Sequence, residues 1–182
     1  GDGLPEWVVF SPNTNGFCVM KGSDTLAADT TINNGGGTSQ DHVCLVASGA
    51  SPFFTGAAVN QFGHHVIGLG DVNGDGFDDL GVSGRISAGN ATTTAGEGFV
   101  LIYLGRDGAL PNLSSPNIKI RGIRIGSGNG PGGAYSFGTE YSGFCAAGDF
   151  DGAVGCGGET TKYIAIGETW DSKLHVIPGQ TT

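Results

Sequence analysis

Basic residues are scarce in this 182-residue chain, with eight Lys and Arg against seventeen Asp and Glu and a net charge of −9. Nucleic-acid binding draws its affinity from cations that release counterions from phosphates, so that class of partner is disfavoured. Proline is sparse at 7 residues, and no Gly-X-Y period runs through the chain, which excludes a collagen-like structure. Long apolar runs are missing too. The longest, Phe99 to Leu104, is far short of a membrane helix. No signal peptide is present, and Gly1 reads as a processed start or the edge of a fragment. No C-x-x-C pair offers a thiolate zinc site, no G-x-S-x-G elbow offers a serine nucleophile, and no window has helical periodicity.

Glycine, by contrast, is abundant at 36 residues, beside ten Phe and an apolar fraction of 38%. So much apolar content rules out a disordered chain. Short apolar runs between glycine-rich separators predict tight turns linking short strands, an all-β chain. The four cysteines, Cys18, Cys44, Cys145 and Cys156, allow three pairings. Cys18–Cys44 with Cys145–Cys156 is favoured because each bridge then staples a loop within one repeat. Two bridges imply an oxidising, extracellular setting. The sequons Asn90-Ala91-Thr92 and Asn112-Leu113-Ser114 make Asn90 and Asn112 candidate glycosylation sites and agree with secretion.

The chain repeats itself. Asp2-Gly3-Leu4-Pro5 returns as Asp107-Gly108-Ala109-Leu110-Pro111, and Phe62-Gly63 before Gly70-Asp71 returns as Phe137-Gly138 before Gly148-Asp149. Leu80-Gly81-Val82 returns as Ile164-Ala165-Ile166, and the run from Gly98 to Gly105 returns as the run from Lys173 to Gly179. The landmarks keep their order. Two units follow, 1–106 with an insertion near 23–61, and 107–182, each with about four strands. Expected strands lie near 17–21, 64–70, 79–83 and 98–104, then 118–125, 141–148, 162–167 and 173–177, with further strands plausible at 7–10 and 43–47. A tandem four-stranded antiparallel unit is the sequence form of a propeller blade. Two blades cannot close a ring, so a longer propeller or neighbouring chains must complete the burial.

The densest chemistry lies in Asp71-Val72-Asn73-Gly74-Asp75-Gly76-Phe77-Asp78-Asp79. Hard Ca²⁺ takes several oxygen ligands. Asp71, Asn73 and Asp75 supply them at alternate positions, the Phe77 carbonyl can follow, and Asp79 can close the shell. Gly74 and Gly76 allow a tight wrap, and Asp78 is expected to point outward. Three acidic side chains on one short turn would repel one another without a cation, so Ca²⁺ is the expected cofactor. In the second unit, Asp149, Asp151 and Glu159 form a weaker candidate set. There Tyr163 stands where a closing Asp would be, and a Cys145–Cys156 bridge is expected in place of the metal.

The stretch Phe62-Gly63-x-x-Val66-x-x-Leu69-Gly70-Asp71-Val72-Asn73-Gly74-Asp75-Gly76-Phe77-Asp78-Asp79-Leu80-Gly81-Val82 resembles an FG-GAP repeat, the family of the integrin α-chain propeller blades. The resemblance implies a propeller-blade fold, with calcium in the hairpin between two inner strands of the blade. It is strong in the first unit and loose in the second.

Other candidates are weaker. His64 and His65 point to opposite faces if they lie on a strand, so they cannot easily share one ion. The run Gly126 to Gly133 lacks the Lys-Ser/Thr of a phosphate loop. The expected function is an extracellular, calcium-binding structural or adhesive repeat protein, not an enzyme. Its partners would be other chains or copies of itself, with a filament subunit as one form and glycans as further ligands. The alternative is a fragment of a secreted carbohydrate-binding or polysaccharide-cleaving propeller.

Overall fold

The computed structural model describes residues 5–11, 16–22, 37–38, 42–46, 53, 58–60, 62–63, 65–88, 98–122, 144–148, 162–168 and 173–179. Among these residues there is no helix, and every paired strand is antiparallel. The all-β expectation holds. The strands form three sheets, none closed into a barrel. No helix among the described residues is long and apolar enough to cross a membrane.

The first sheet contains β1 (Trp7–Ser11), β2 (Gly16–Met20), β3 (Gly37–Thr38) and β4 (His42–Val46), in the order β1-β2-β4-β3. The middle sheet contains β5 (Ala58–Asn60), β6 (Val66–Gly70), β7 (Asp79–Ala88), β8 (Gly98–Tyr103) and β9 (Ile118–Arg121). Strands β5 and β6 lie one after the other along the ten-residue β7, and β8 and β9 follow on its other side. The middle sheet is therefore four strands wide. The third sheet is β10 (Phe144–Gly148), β11 (Tyr163–Glu168) and β12 (Lys173–Pro178), in that order.

Two expected pairings differ from those found. The strand near 17–21 does not join the middle sheet; it pairs with β1 and β4, and Phe17 and Val19 point from there into the core. The strand near 118–125 is found as β9 at 118–121, hydrogen-bonded to β8, so the middle sheet runs past the boundary drawn at 106. Apolar alternation marks which residues turn inward; it does not name the neighbouring strand.

The sheets stack because β8 is buried on both faces, all six of its residues included. Successive strand side chains point to opposite sides. Phe99, Leu101 and Tyr103 join Phe17, Val19 and Val43 of the first sheet in one core. Val100 and Ile102 join Phe144, Ile164 and Ile166 of the third sheet in another. A strand buried on both faces reads as a continuous apolar run, which explains why Phe99 to Leu104 is the longest in the chain. At the centre of the first core, Phe62 lies 5.4 Å from the Phe17 ring, 5.3 Å from Phe53 and 6.4 Å from Phe99.

Cys18 and Cys44 face each other across β2 and β4 and form a disulfide, with Cα atoms 4.1 Å apart. The bridge expected between Cys145 and Cys156 is not made: Cys145 stands on β10 as a free, exposed thiol, and Cys156 lies outside the described residues. Cys145 projects to the side of its sheet opposite the buried Phe144 beside it. Opening the Cys18–Cys44 bridge, across a separation of 26 residues, is expected to cost about 2–4 kcal/mol. Denaturant unfolding of Cys18→Ala/Cys44→Ala against the native chain measures it.

The internal repeat has a structural counterpart in strand register. On β6–β7 the pairs are Val66↔Val82, Ile67↔Gly81, Gly68↔Leu80 and Gly70↔Asp79, with a shift after Gly68. On β10–β11 they are Phe144↔Ile166, Cys145↔Ala165, Ala146↔Ile164 and Gly148↔Tyr163, with the shift after Ala146. The two hairpins match pair for pair in register, and Tyr163 takes the place of Asp79. The outer pairings continue the match: Leu80↔Tyr103 corresponds to Ile164↔Ile177.

A candidate metal loop at the end of the β6–β7 hairpin

Residues 71–78 connect β6 to β7 at the irregular end of that hairpin. The loop can turn so tightly because Gly74 and Gly76 adopt φ of 78° and 91°, a region that side chains with a Cβ rarely enter. Phe77 is half-buried and Asp78 is exposed, as the spacing predicts.

The acidic side chains point back into the loop and accept its backbone N–H groups. Asp71 Oδ1 accepts from Gly74 at 2.7 Å and Asp75 at 3.1 Å, and Asp71 Oδ2 accepts from Gly76 at 2.8 Å. Asp75 Oδ1 accepts from Phe77 N at 2.9 Å, while its Oδ2 accepts from Asn73 Nδ2 at 2.8 Å. Asn73 Oδ1 accepts from Asp75 N at 3.3 Å. Each carboxylate oxygen has a second lone pair, so an accepted N–H does not exhaust it.

Asp79 is the buried member of the set, only 2% exposed. Its Oδ2 accepts from Val72 N and its Oδ1 from Gly105 N, each at 2.8 Å. One side chain thus ties the start of the loop to the chain just beyond β8. Burial pushes the Asp79 carboxyl above the ordinary aspartate range. The two N–H groups oppose that rise, and the charges of Asp75 and Asp71 add to it. With a raised pKa the folded chain holds this proton longer than the unfolded chain does. The contribution of this group to stability therefore declines as pH rises through its folded pKa. A bound cation would favour the ionised form and reverse that sense.

Of the sequence candidates, Asp71, Asn73, Asp75, Phe77 and Asp79 share this loop. No group of three or more His, Cys, Asp or Glu side chains gathers closely enough among the described residues to hold a metal ion. The hydrogen bonds explain the spread: each carboxylate is drawn to a different stretch of backbone. The donor chemistry nonetheless suits a hard cation, with carboxylate, amide and carbonyl oxygens on one turn. Asp149, Asp151 and Glu159 lie outside the described residues, as do Asn90 and His64. Asn112 is exposed.

Two residues important to the loop carry no ionisable group and escaped a search for ligands. Gly105 supplies an N–H to Asp79, and a Cβ there would collide with the Asp78 carbonyl. Gly179, its counterpart after β12, donates to the Lys162 carbonyl at 2.7 Å and rests against the Val72 carbonyl, with no room for a Cβ. The recurrence of glycine at the ends of the two matched runs was the available signal.

A shallow cleft of about 720 Å³ borders the loop, lined in part by Glu6, Val8, Phe77, Asp78, Leu110 and Pro111. Tyr103 also borders it, but its hydroxyl donates to the Leu113 carbonyl at 2.9 Å, and burial pushes its pKa upward. That phenol is a structural group.

Comparison with protein-family models, with curated proteins and with solved structures finds no match for the chain. The resemblance to FG-GAP repeats therefore stands on the residues of the Phe62–Val82 stretch alone.

Proposed function

We propose that this chain is an extracellular structural or adhesive repeat protein of FG-GAP type, with Ca²⁺ held at the 71–79 loop. Its sheets act as blades completed by neighbouring chains or by a longer propeller. The observation that carries the reading is the loop itself. It sets three carboxylates and a buried amide side chain on one short turn between β6 and β7, and a cation would draw together the oxygens that now accept the loop's own amides. Asp71, Asn73, Asp75, the Phe77 carbonyl and Asp79 would hold the ion. Bound there, Ca²⁺ supplies positive charge that offsets the crowding of Asp71, Asp75 and Asp79, and no chemical step is assigned to it. The Cys18–Cys44 bridge supports an oxidising compartment.

The role is one of rigidity. Asp79 joins the loop to Gly105, and Val72 is buried between the middle and third sheets. Fixing the loop therefore fixes the joint between two sheets. Saturating calcium is expected to raise thermal stability, by about 2.7 kcal/mol at a hundredfold excess over Kd. A chelator should remove the gain. An unchanged melting temperature across that calcium range would refute the reading.

Calcium affinity should also fall with pH, and the fall should begin above the ordinary aspartate pKa of about 3.9, because Asp79 protonates early. Chelator competition at a series of pH values measures it. The polysaccharide alternative is tested by incubating the chain with acidic polysaccharides and looking for cleavage, which would displace a purely structural role.

A further inference from the structure

We propose that Lys162 is a resident counter-cation of the 71–79 loop, offsetting its acidic charge in the calcium-free chain and lowering its affinity for Ca²⁺. The proposal rests on the calcium reading of that loop and adds to it the residue that regulates it.

Lys162 stands immediately before β11 in the third sheet, yet its side chain lies along Gly70, the last residue of β6 in the middle sheet. A Cβ built on Gly70 would sit 3.0 Å from the Lys162 Nζ, 3.7 Å from its Cδ and 3.8 Å from its Cε. Only a residue without a side chain leaves room for that approach. The next residue is Asp71, the first of four aspartates between positions 71 and 79. The backbone fixes the lysine at this place. Its carbonyl accepts from Gly179 N at 2.7 Å, and Gly179 rests against the Val72 carbonyl. Val72 in turn is buried in the core shared by the middle and third sheets. Lys162 is itself partly buried, so its charge is screened less than that of a fully exposed side chain.

The internal repeat gives the position its meaning. Gly70↔Asp79 and Gly148↔Tyr163 are matching pairs, so Lys162-Tyr163 takes the place of Asp78-Asp79. The second unit has exchanged an acidic pair for a cation and a phenol, and it lays the cation beside the loop of the first. With eight basic residues against seventeen acidic ones, the chain has few cations to place there. A fixed positive charge beside a Ca²⁺ site acts in two ways. It attracts the carboxylates of the calcium-free loop, and it repels the arriving ion. Both lower the affinity.

The test measures calcium affinity by calorimetric titration of the full chain at low and high salt. Lys162→Met keeps most of the stem that packs on Gly70 and removes the charge. It should bind Ca²⁺ about three- to tenfold more tightly at low salt, and the gain should shrink in about 1 M salt. Lys162→Arg keeps the charge and should stay near the native affinity. Arg121→Met removes an equal charge opposite Phe99, at the other end of β8 from the loop, and should change the affinity less. A Lys162→Met chain with native or weaker affinity overturns the proposal. So does an equal gain in Arg121→Met, which would report net charge alone. Lys162→Gln repeats the measurement if the Met variant misfolds. Melting of the calcium-free chains keeps the two readings apart. Lys162→Met should melt below the native chain, and that deficit should shrink in an Asp71→Asn background. If the native chain takes up no Ca²⁺, the calcium reading falls and this comparison alone decides the role of Lys162. A deficit that persists in full without the Asp71 charge then overturns the proposal, because a side chain that only packs would give it.

Discussion

Replacing Asp79 by alanine is expected to destabilise the chain by about 2–5 kcal/mol and to abolish calcium binding. The estimate comes from the two backbone N–H groups, of Val72 and Gly105, that this buried carboxylate satisfies. Leaving a buried donor unpaired costs about 1–3 kcal/mol. Part of the loss is offset, because burial and the nearby Asp71 and Asp75 charges already work against the ionised group. Asp79→Asn separates the two roles. Its amide oxygen can still accept one N–H while its NH₂ meets the other, so stability should fall less than in the alanine variant. Calcium binding should be lost in both. Urea unfolding with and without calcium measures both effects, and an Asp79→Ala protein as stable as the native chain would contradict the assignment.

Phe62→Ala is expected to have the other large effect, about 3–5 kcal/mol, as for an aromatic ring deleted from a packed core. Phe62 is fully buried and touches rings from the first sheet and from β8. Its loss removes the wedge that joins those two sheets. Calcium binding to the folded fraction should survive, because Phe62 belongs to the core opposite the one that includes Val72. Unfolding in denaturant gives the stability change, and calcium titration below the transition gives the second readout. A cost under about 1 kcal/mol, typical of surface substitutions, would contradict the packing described.

The contrast between these residues indicates what could be read from the sequence. The 71–79 loop was legible as a turn because Gly74 and Gly76 mark φ values that other residues avoid, and it suggested a cation site because Asp71, Asn73 and Asp75 recur at the short spacing that a hard cation would ask of its ligands. The repeat was legible through order: Leu80-Gly81-Val82 and Ile164-Ala165-Ile166 occupy matching registers in their hairpins. The Cys18–Cys44 bridge followed from loop logic and is formed. Strand partnership was not legible. Nothing local in Phe17 or Val19 says that β2 pairs with β1 and β4, because alternation is the same whichever neighbour a strand finds. The role of Asp79 was half legible. Its spacing suggested a ligand, but its bond to the Gly105 amide depends on a contact between residues far apart in the chain.

The most direct test of the central claim is a calorimetric titration of the chelator-treated native chain with Ca²⁺, beside Asp71→Ala and Asp79→Ala. The account predicts saturable binding at the 71–79 loop, lost in both variants. A native chain that takes up no calcium, or variants that bind it as the native chain does, would contradict it.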